Sequence, residues 1–279
     1  MFSGCTDLIS APELSAATLA EGCYENMFYN CDALQTAPTL PAETLAKGCY
    51  SYMFDDCDAL LATPNLLADT VAEGCYDHMF YSCDMLQTVP ESLPATTLAD
   101  SCYKNMFAEC RQLTSVSENF LPAGNLAPSC YENMFYWCTA LETAPNLPAM
   151  TLADSCYKNM FINTALQTVP ALLAENLAEN CYSGMFTSCV SLTQTLDTLP
   201  AETLAASCYY RMFYNCTNLT KAALQLPTTN LANNCYGGMF EGCTALGIYA
   251  IEGDTAGENC VLDLISFTGD IGSYFTHMF

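Results

Sequence analysis

A chain of 279 residues with 52% apolar and only 13% charged residues carries enough apolar surface for a packed core, which excludes a disordered chain. Six Lys plus Arg against thirty Asp plus Glu leave a formal net charge of −24, a surface that repels phosphate backbones and anionic headgroups. Nucleic acid and membrane insertion are thereby excluded, whereas cations and basic proteins are not. No apolar run approaches the roughly 20 residues of a membrane-spanning helix. Met1-Phe2-Ser3-Gly4-Cys5 lacks the basic and apolar segments that open a signal peptide.

The pair Met-Phe occurs eleven times, from Met1 to Met278, and the steps between the first ten copies are 25 to 28 residues. Nine copies have Cys-Tyr four residues ahead, from Cys23-Tyr24 to Cys235-Tyr236. Each unit divides in two. In its first half Leu19, Ala20, Cys23, Tyr24, Met27, Phe28 and Cys31 recur at steps of one, three and four, which predicts a short amphipathic helix. Thr18, Thr44, Thr70, Thr97, Asn125, Thr151, Asn176, Thr203 and Asn230 stand just ahead as expected helix caps, each worth about 1 kcal/mol. The second half, Leu34 to Pro41, is short and punctuated by prolines, and predicts a strand followed by an irregular turn.

Neither element can bury its face alone, so the units are expected to stack into an α/β solenoid. A parallel strand ladder forms one side and short helices the other. The insertions at 90–94 and 117–122 are expected in rim loops. The repeat covers 1–246, nine Cys-Tyr units with a half unit ahead of the first. Residues 247–279 break the pattern and read as an atypical C-terminal cap or an interrupted repeat. Gly247 to Ile251 and Val261 to Ile265 are candidate strands there, and Met278-Phe279 echoes the repeat.

Nineteen cysteines first evoke a disulfide framework. On a helix, however, Cys23 and Cys31 stand about 12 Å apart, beyond the roughly 7 Å that a disulfide spans. Equivalent cysteines on packed neighbouring helices are roughly 8–10 Å apart. The spacing favours buried thiols in columns, such as Cys23, Cys49, Cys75 and Cys31, Cys57, Cys83. The sixth unit, Phe161-Ile162-Asn163-Thr164-Ala165-Leu166, reads as a deletion of the second cysteine.

The core Met27-Phe28…Cys31…Leu34…Ala37-Pro38 resembles the BspA-type leucine-rich repeat, from residue 1 to about 246. The unit here is longer and carries an extra Cys-Tyr ahead of Met-Phe. The resemblance implies a curved solenoid at the cell surface or outside the cell, used for adhesion and protein binding, and no enzymatic activity.

Strand positions Gln35, Thr36, Gln87, Thr88, Ser115, Thr143, Gln167 and Thr168 form an uncharged polar column, the candidate face for a protein or glycan on a host or neighbouring cell. End-to-end stacking into an extracellular filament is the alternative, with a second copy as partner. No cofactor and no metal is expected, because C-x7-C is not zinc spacing and only His78 and His277 are present. Cys75 and His78 are three apart, but Cys75 belongs to the buried column and His78 to the solvent side. Glu25, Asp32, Asp55, Asp56, Asp58, Asp77 and Asp84 are expected as solvated charge rather than a calcium site. Asn215-Cys216-Thr217 and Asn218-Leu219-Thr220 match the glycosylation acceptor pattern.

Overall fold

The structure, a computed structural model, describes residues 1–225, 231–246 and 260–263. The chain winds as a solenoid, one coil per unit, but the expected helices are absent: no residue among those described is helical. The segment from Ala20 to Cys31 is instead a run of overlapping turns. The N–H groups of Cys23, Glu25, Met27 and Tyr29 bond three residues back, to the carbonyls of Ala20, Gly22, Tyr24 and Asn26. Those of Gly22, Tyr24, Asn26, Phe28 and Asn30 bond out of the coil, to Lys47, Cys49, Ser51, Met53 and Asp55 of the next one, at 2.8–3.0 Å. Backbone donors that a helix would spend internally thus tie neighbouring coils together.

Backbone geometry explains why no helix forms. Gly22, Asn26 and Asn30 have φ of 59°, 54° and 57°. Positive φ recurs at the same three places in every coil, one ahead of each cysteine and midway between them. Left-handed residues at every fourth position break an α-helix and suit the third residue of a type II turn. Gly, Asn and Ser fill most of these positions, and Gly and Asn are the residues that enter this region most readily.

Equivalent side chains stack in columns. Tyr24 and its equivalents through Tyr236 lie 5.4–5.9 Å apart, with ring planes within 13° of parallel. Phe2, Phe28 and their equivalents through Phe240 form a second column at 5.4–6.0 Å. The Met and Leu columns are buried beside them. Each ring taken from water contributes about 2 kcal/mol, and offset stacking adds to it. The insertion at 117–122 is not confined to the rim. Phe120 is fully buried and wedges between Phe107 and Phe135, where the Phe column opens to 6.0 Å.

The other sides of each coil carry isolated parallel bridges rather than a long sheet. The Thr and Asn residues expected as helix caps form the most continuous series, Thr18–Thr44–Thr70–Thr97–Asn125–Thr151–Asn176–Thr203. With no helix to cap, they pair coil to coil. The strand half is joined by Ser10–Thr36, Ala62–Thr88 and Gln194–Lys221. Beyond these, β1 (Ala222–Gln225) pairs in parallel with β2 (Cys260–Asp263), Ala222 opposite Cys260. β2 overlaps the strand expected over 261–265; Gly247–Ile251 and Met278-Phe279 lie outside the described residues.

Candidate functional site

Gln35, Thr36, Gln87, Thr88, Ser115, Thr143, Gln167 and Thr168 are all exposed on the strand half of the coils. Backbone bonds link that half from coil to coil: Gln35 N–H donates to Ile9, Gln87 and Thr88 to Leu61, Glu142 to Thr114 and Gln167 to Glu142. At the far end Thr168, Gln194, Thr195, Asp197 and Lys221 border an open depression of about 260 Å³. A larger hollow of about 480 Å³ lies along Thr18, Leu19, Pro41, Glu43 and Thr44. Its single carboxylate has no histidine or thiol beside it, so it holds no acid–base or nucleophilic pair.

The cysteine columns have a different basis from the one expected. Parallel coils stand at strand spacing, near 4.8 Å, not the 8–10 Å of packed helices, so distance alone does not forbid bridges. The eighteen cysteines from Cys5 to Cys243 are free thiols, and among them only Cys5 and Cys23 are exposed. In the second column each thiol has a partner: Cys31 donates to the carbonyl of Phe2, Cys57 to Phe28, Cys83 to Phe54 and Cys138 to Phe107, at 3.0–3.2 Å. The sixth coil does not delete this position. Thr164 occupies it, donating its hydroxyl to Phe161 at 3.0 Å and lying 3.3 Å from the thiol of Cys189. The missing residue falls after it.

Burial pushes Cys49 up to about 11 and Cys102 up to about 12, so these thiols are poor nucleophiles at neutral pH. His78 turns to Asp77, with Nδ1 2.7 Å from its carboxylate, and stacks on Tyr52, while Cys75 faces the carbonyl of Cys102. No group of three or more His, Cys, Asp or Glu side chains is arranged to hold a metal among the described residues. Of the two acceptor asparagines, Asn218 is exposed and donates its amide to Val190 at 2.9 Å.

The turn face carries two buried carboxylates that sequence reasoning missed. Glu132, 8% exposed, sits between Lys104 of the preceding coil at 3.0 Å and Lys158 of the following one at 3.4 Å. Burial pushes this carboxyl up, but hydrogen bonds from Lys104 and Ser129 and the charge of Lys158 outweigh it, leaving it below the ordinary glutamate value. Asp55 is expected as solvated charge and is instead 6% exposed; its Oδ1 meets no protein donor. Burial, then the charge of Asp56, pushes its carboxyl up to about 7, against the pull of His78.

Asp55 lies in an aromatic setting. Tyr52 and His78 stack at 4.4 Å, His78 tilts against Tyr81 at 5.3 Å, and Tyr81 donates its hydroxyl to Glu109. Arg111 joins Glu109 to Asp84 at the edge of this cluster. The available signal was the row Tyr29, Asp55, Tyr81 at one repeat position, where an acid interrupts aromatic residues.

The model of the BspA type leucine rich repeat region matches in six copies, over residues 1–114, 73–193 and 101–247. The chain belongs to the BspA-type leucine-rich repeat family. A leucine-rich repeat protein from Bacteroides ovatus is 19% identical, with a TM-score of 0.45 over 88% of this chain and 67% of that one. A leucine rich cell surface protein from Faecalibacterium prausnitzii is 14% identical, with a TM-score of 0.33 over 89% and 77%. No curated protein matches. This BspA-type chain has no helix among its described residues long and apolar enough to cross a membrane.

Proposed function

We propose that this BspA-type solenoid is a non-enzymatic binding module, displayed at the cell surface, that recognises a protein or glycan through its strand face. One observation carries the reading. Eight uncharged polar side chains, Gln35 to Thr168, stand exposed on the strand half of five of the first six coils, on a backbone tied coil to coil. Such a surface offers repeated hydrogen-bonding groups without a large desolvation penalty. Surface display rests on the family. Residues 247–279 act in this reading as the cap of the solenoid, supported by the parallel pairing of β2 with β1.

The test is a variant with Thr36→Glu, Thr88→Glu and Thr143→Glu, applied beside the parent chain to a glycan array and to immobilised extracellular glycoproteins. At least tenfold loss of retention with unchanged melting is expected. Equal retention by the folded variant overturns the strand face as the binding surface.

A further inference from the structure

Glu132 shows what this turn face supplies to a carboxylate it buries: an ammonium group from the coil on each side. Asp55 has no such supply. At its own repeat position the neighbouring coils carry Tyr29 and Tyr81, and Oδ1, closed off from solvent, has no protein partner. Leaving a buried carboxylate oxygen unpaired is costly, and aromatic rings lie near it together with the acids Asp56 and Glu109. Tyr52, His78 and Tyr81 pack ring against ring there. A carboxylate beside aromatic rings attracts an ammonium group twice over, by direct Coulomb attraction and by the ring quadrupoles, and both are stronger away from bulk water.

One strained backbone position, Tyr52, falls in the same place. The left-handed position between the two cysteines is Asn105, Asn133 and Asn159 in coils four to six, a residue that tolerates it. In coil two it is Tyr52 (φ 54°), whose bulk makes that conformation expensive; coil three has His78 (φ 55°), which enters the region more readily, and coil eight has Arg211 (φ 52°). Strain of this sort persists where a side chain is needed for more than the fold.

From these observations we infer that Asp55, walled by Tyr52, His78 and Tyr81, is a recognition site for a primary ammonium group, the lysine side chain of a basic partner protein. The net charge of −24 draws such a partner in. The lysine amine completes Asp55 as Lys104 and Lys158 complete Glu132. The site is on the turn face and stands independently of the strand-face reading.

The test uses the full chain with ¹³C-labelled histidine, following the His78 resonance, identified by its loss in His78→Asn. The probes are N-acetyl-Gly-Lys-Gly-amide, the same peptide with norleucine for lysine, and cadaverine. The lysine peptide should give a saturable shift, with the norleucine peptide at least tenfold weaker. Asp55→Asn should weaken binding at least tenfold and Tyr52→Asn severalfold, both variants retaining a cooperative melt. Asp58→Asn, which removes one exposed charge from the same coil, should change it less than threefold. An unsaturable shift, an unchanged affinity in Asp55→Asn, or an equal loss in Asp58→Asn overturns the site. Cadaverine binding more tightly than the lysine peptide overturns the polypeptide source.

Discussion

Coils two and three and coils four to six are built on the same overlapping turns and the same Tyr and Phe columns, yet they treat a buried carboxylate differently. Around Glu132 Asn105, Asn133 and Asn159 occupy the left-handed positions between the cysteines, and two lysines neutralise the acid. Around Asp55 Tyr52 and His78 occupy those positions and no protein donor reaches Oδ1. The contrast separates what the solenoid needs from what it merely carries. Asn and an ion pair satisfy the coil, so the bulk and the unpaired charge near Asp55 are not demanded by the fold.

The largest effect should come from stripping Glu132 of its partners. Lys104→Ala with Lys158→Ala leaves a buried charge alone and should cost about 3 kcal/mol in denaturant unfolding, the low end for such a change because both lysine heads are partly exposed. A loss under 1 kcal/mol would erase the contrast with Asp55.

Next comes the pH dependence, which has opposite sign at the two acids. Folded Asp55 keeps its proton up to about 7, whereas the unfolded chain releases it near 3.9. Its contribution to stability is therefore full below about pH 4 and is lost as pH rises to 7. Asp55→Asn should flatten that fall, gaining on the order of 2 kcal/mol on the parent between pH 4 and 8. Glu132, held below the ordinary value, contributes above about pH 4.3 and loses its contribution as pH falls through its folded pKa, so Glu132→Gln should remove an acid-side loss instead. Parallel pH profiles of the two variants would contradict the assignment.

A smaller effect is expected from transplanting the Glu132 solution. Tyr29→Lys puts an ammonium at the repeat position preceding Asp55 and should stabilise the chain by about 1 kcal/mol at pH 8. It should also block the lysine peptide. The smallest change is His78→Asn, which gives coil three the residue that coils four to six use. Histidine and asparagine both enter the left-handed region readily, so lost stacking alone should lower thermal stability by about 0.5 kcal/mol. A loss above 2 kcal/mol would mean that the ring belongs to the fold after all.

The repeat and, apart from the exposed Cys23, the buried columns were legible in side-chain identity. The turn architecture was not read, although a signal for it existed. Leu19, Cys23, Met27 and Cys31 keep a strict spacing of four, which on a helix of 3.6 residues per turn drifts about 120° in three steps. Gly22, Asn26 and Asn30 keep the same spacing beside them. Over thirteen residues a period of four imitates 3.6, and a helix is the commoner way to make an apolar stripe. Thr164 was missed for a related reason: the next leucine is one residue early, so the cysteine looked deleted when its place was taken by another small donor.

The sequence by itself determined that this protein is a stack of like units with a core of Tyr, Phe, Met, Cys and Leu columns, because a period of about 26 residues and a one-sided composition are local facts. Only the tertiary structure decided that the units hold one another by backbone bonds between coils, that the thiols serve Phe carbonyls, and that one acid is neutralised and another left unpaired. Each of those outcomes is settled by groups 24 to 31 residues away along the chain, brought within 4 Å by stacking.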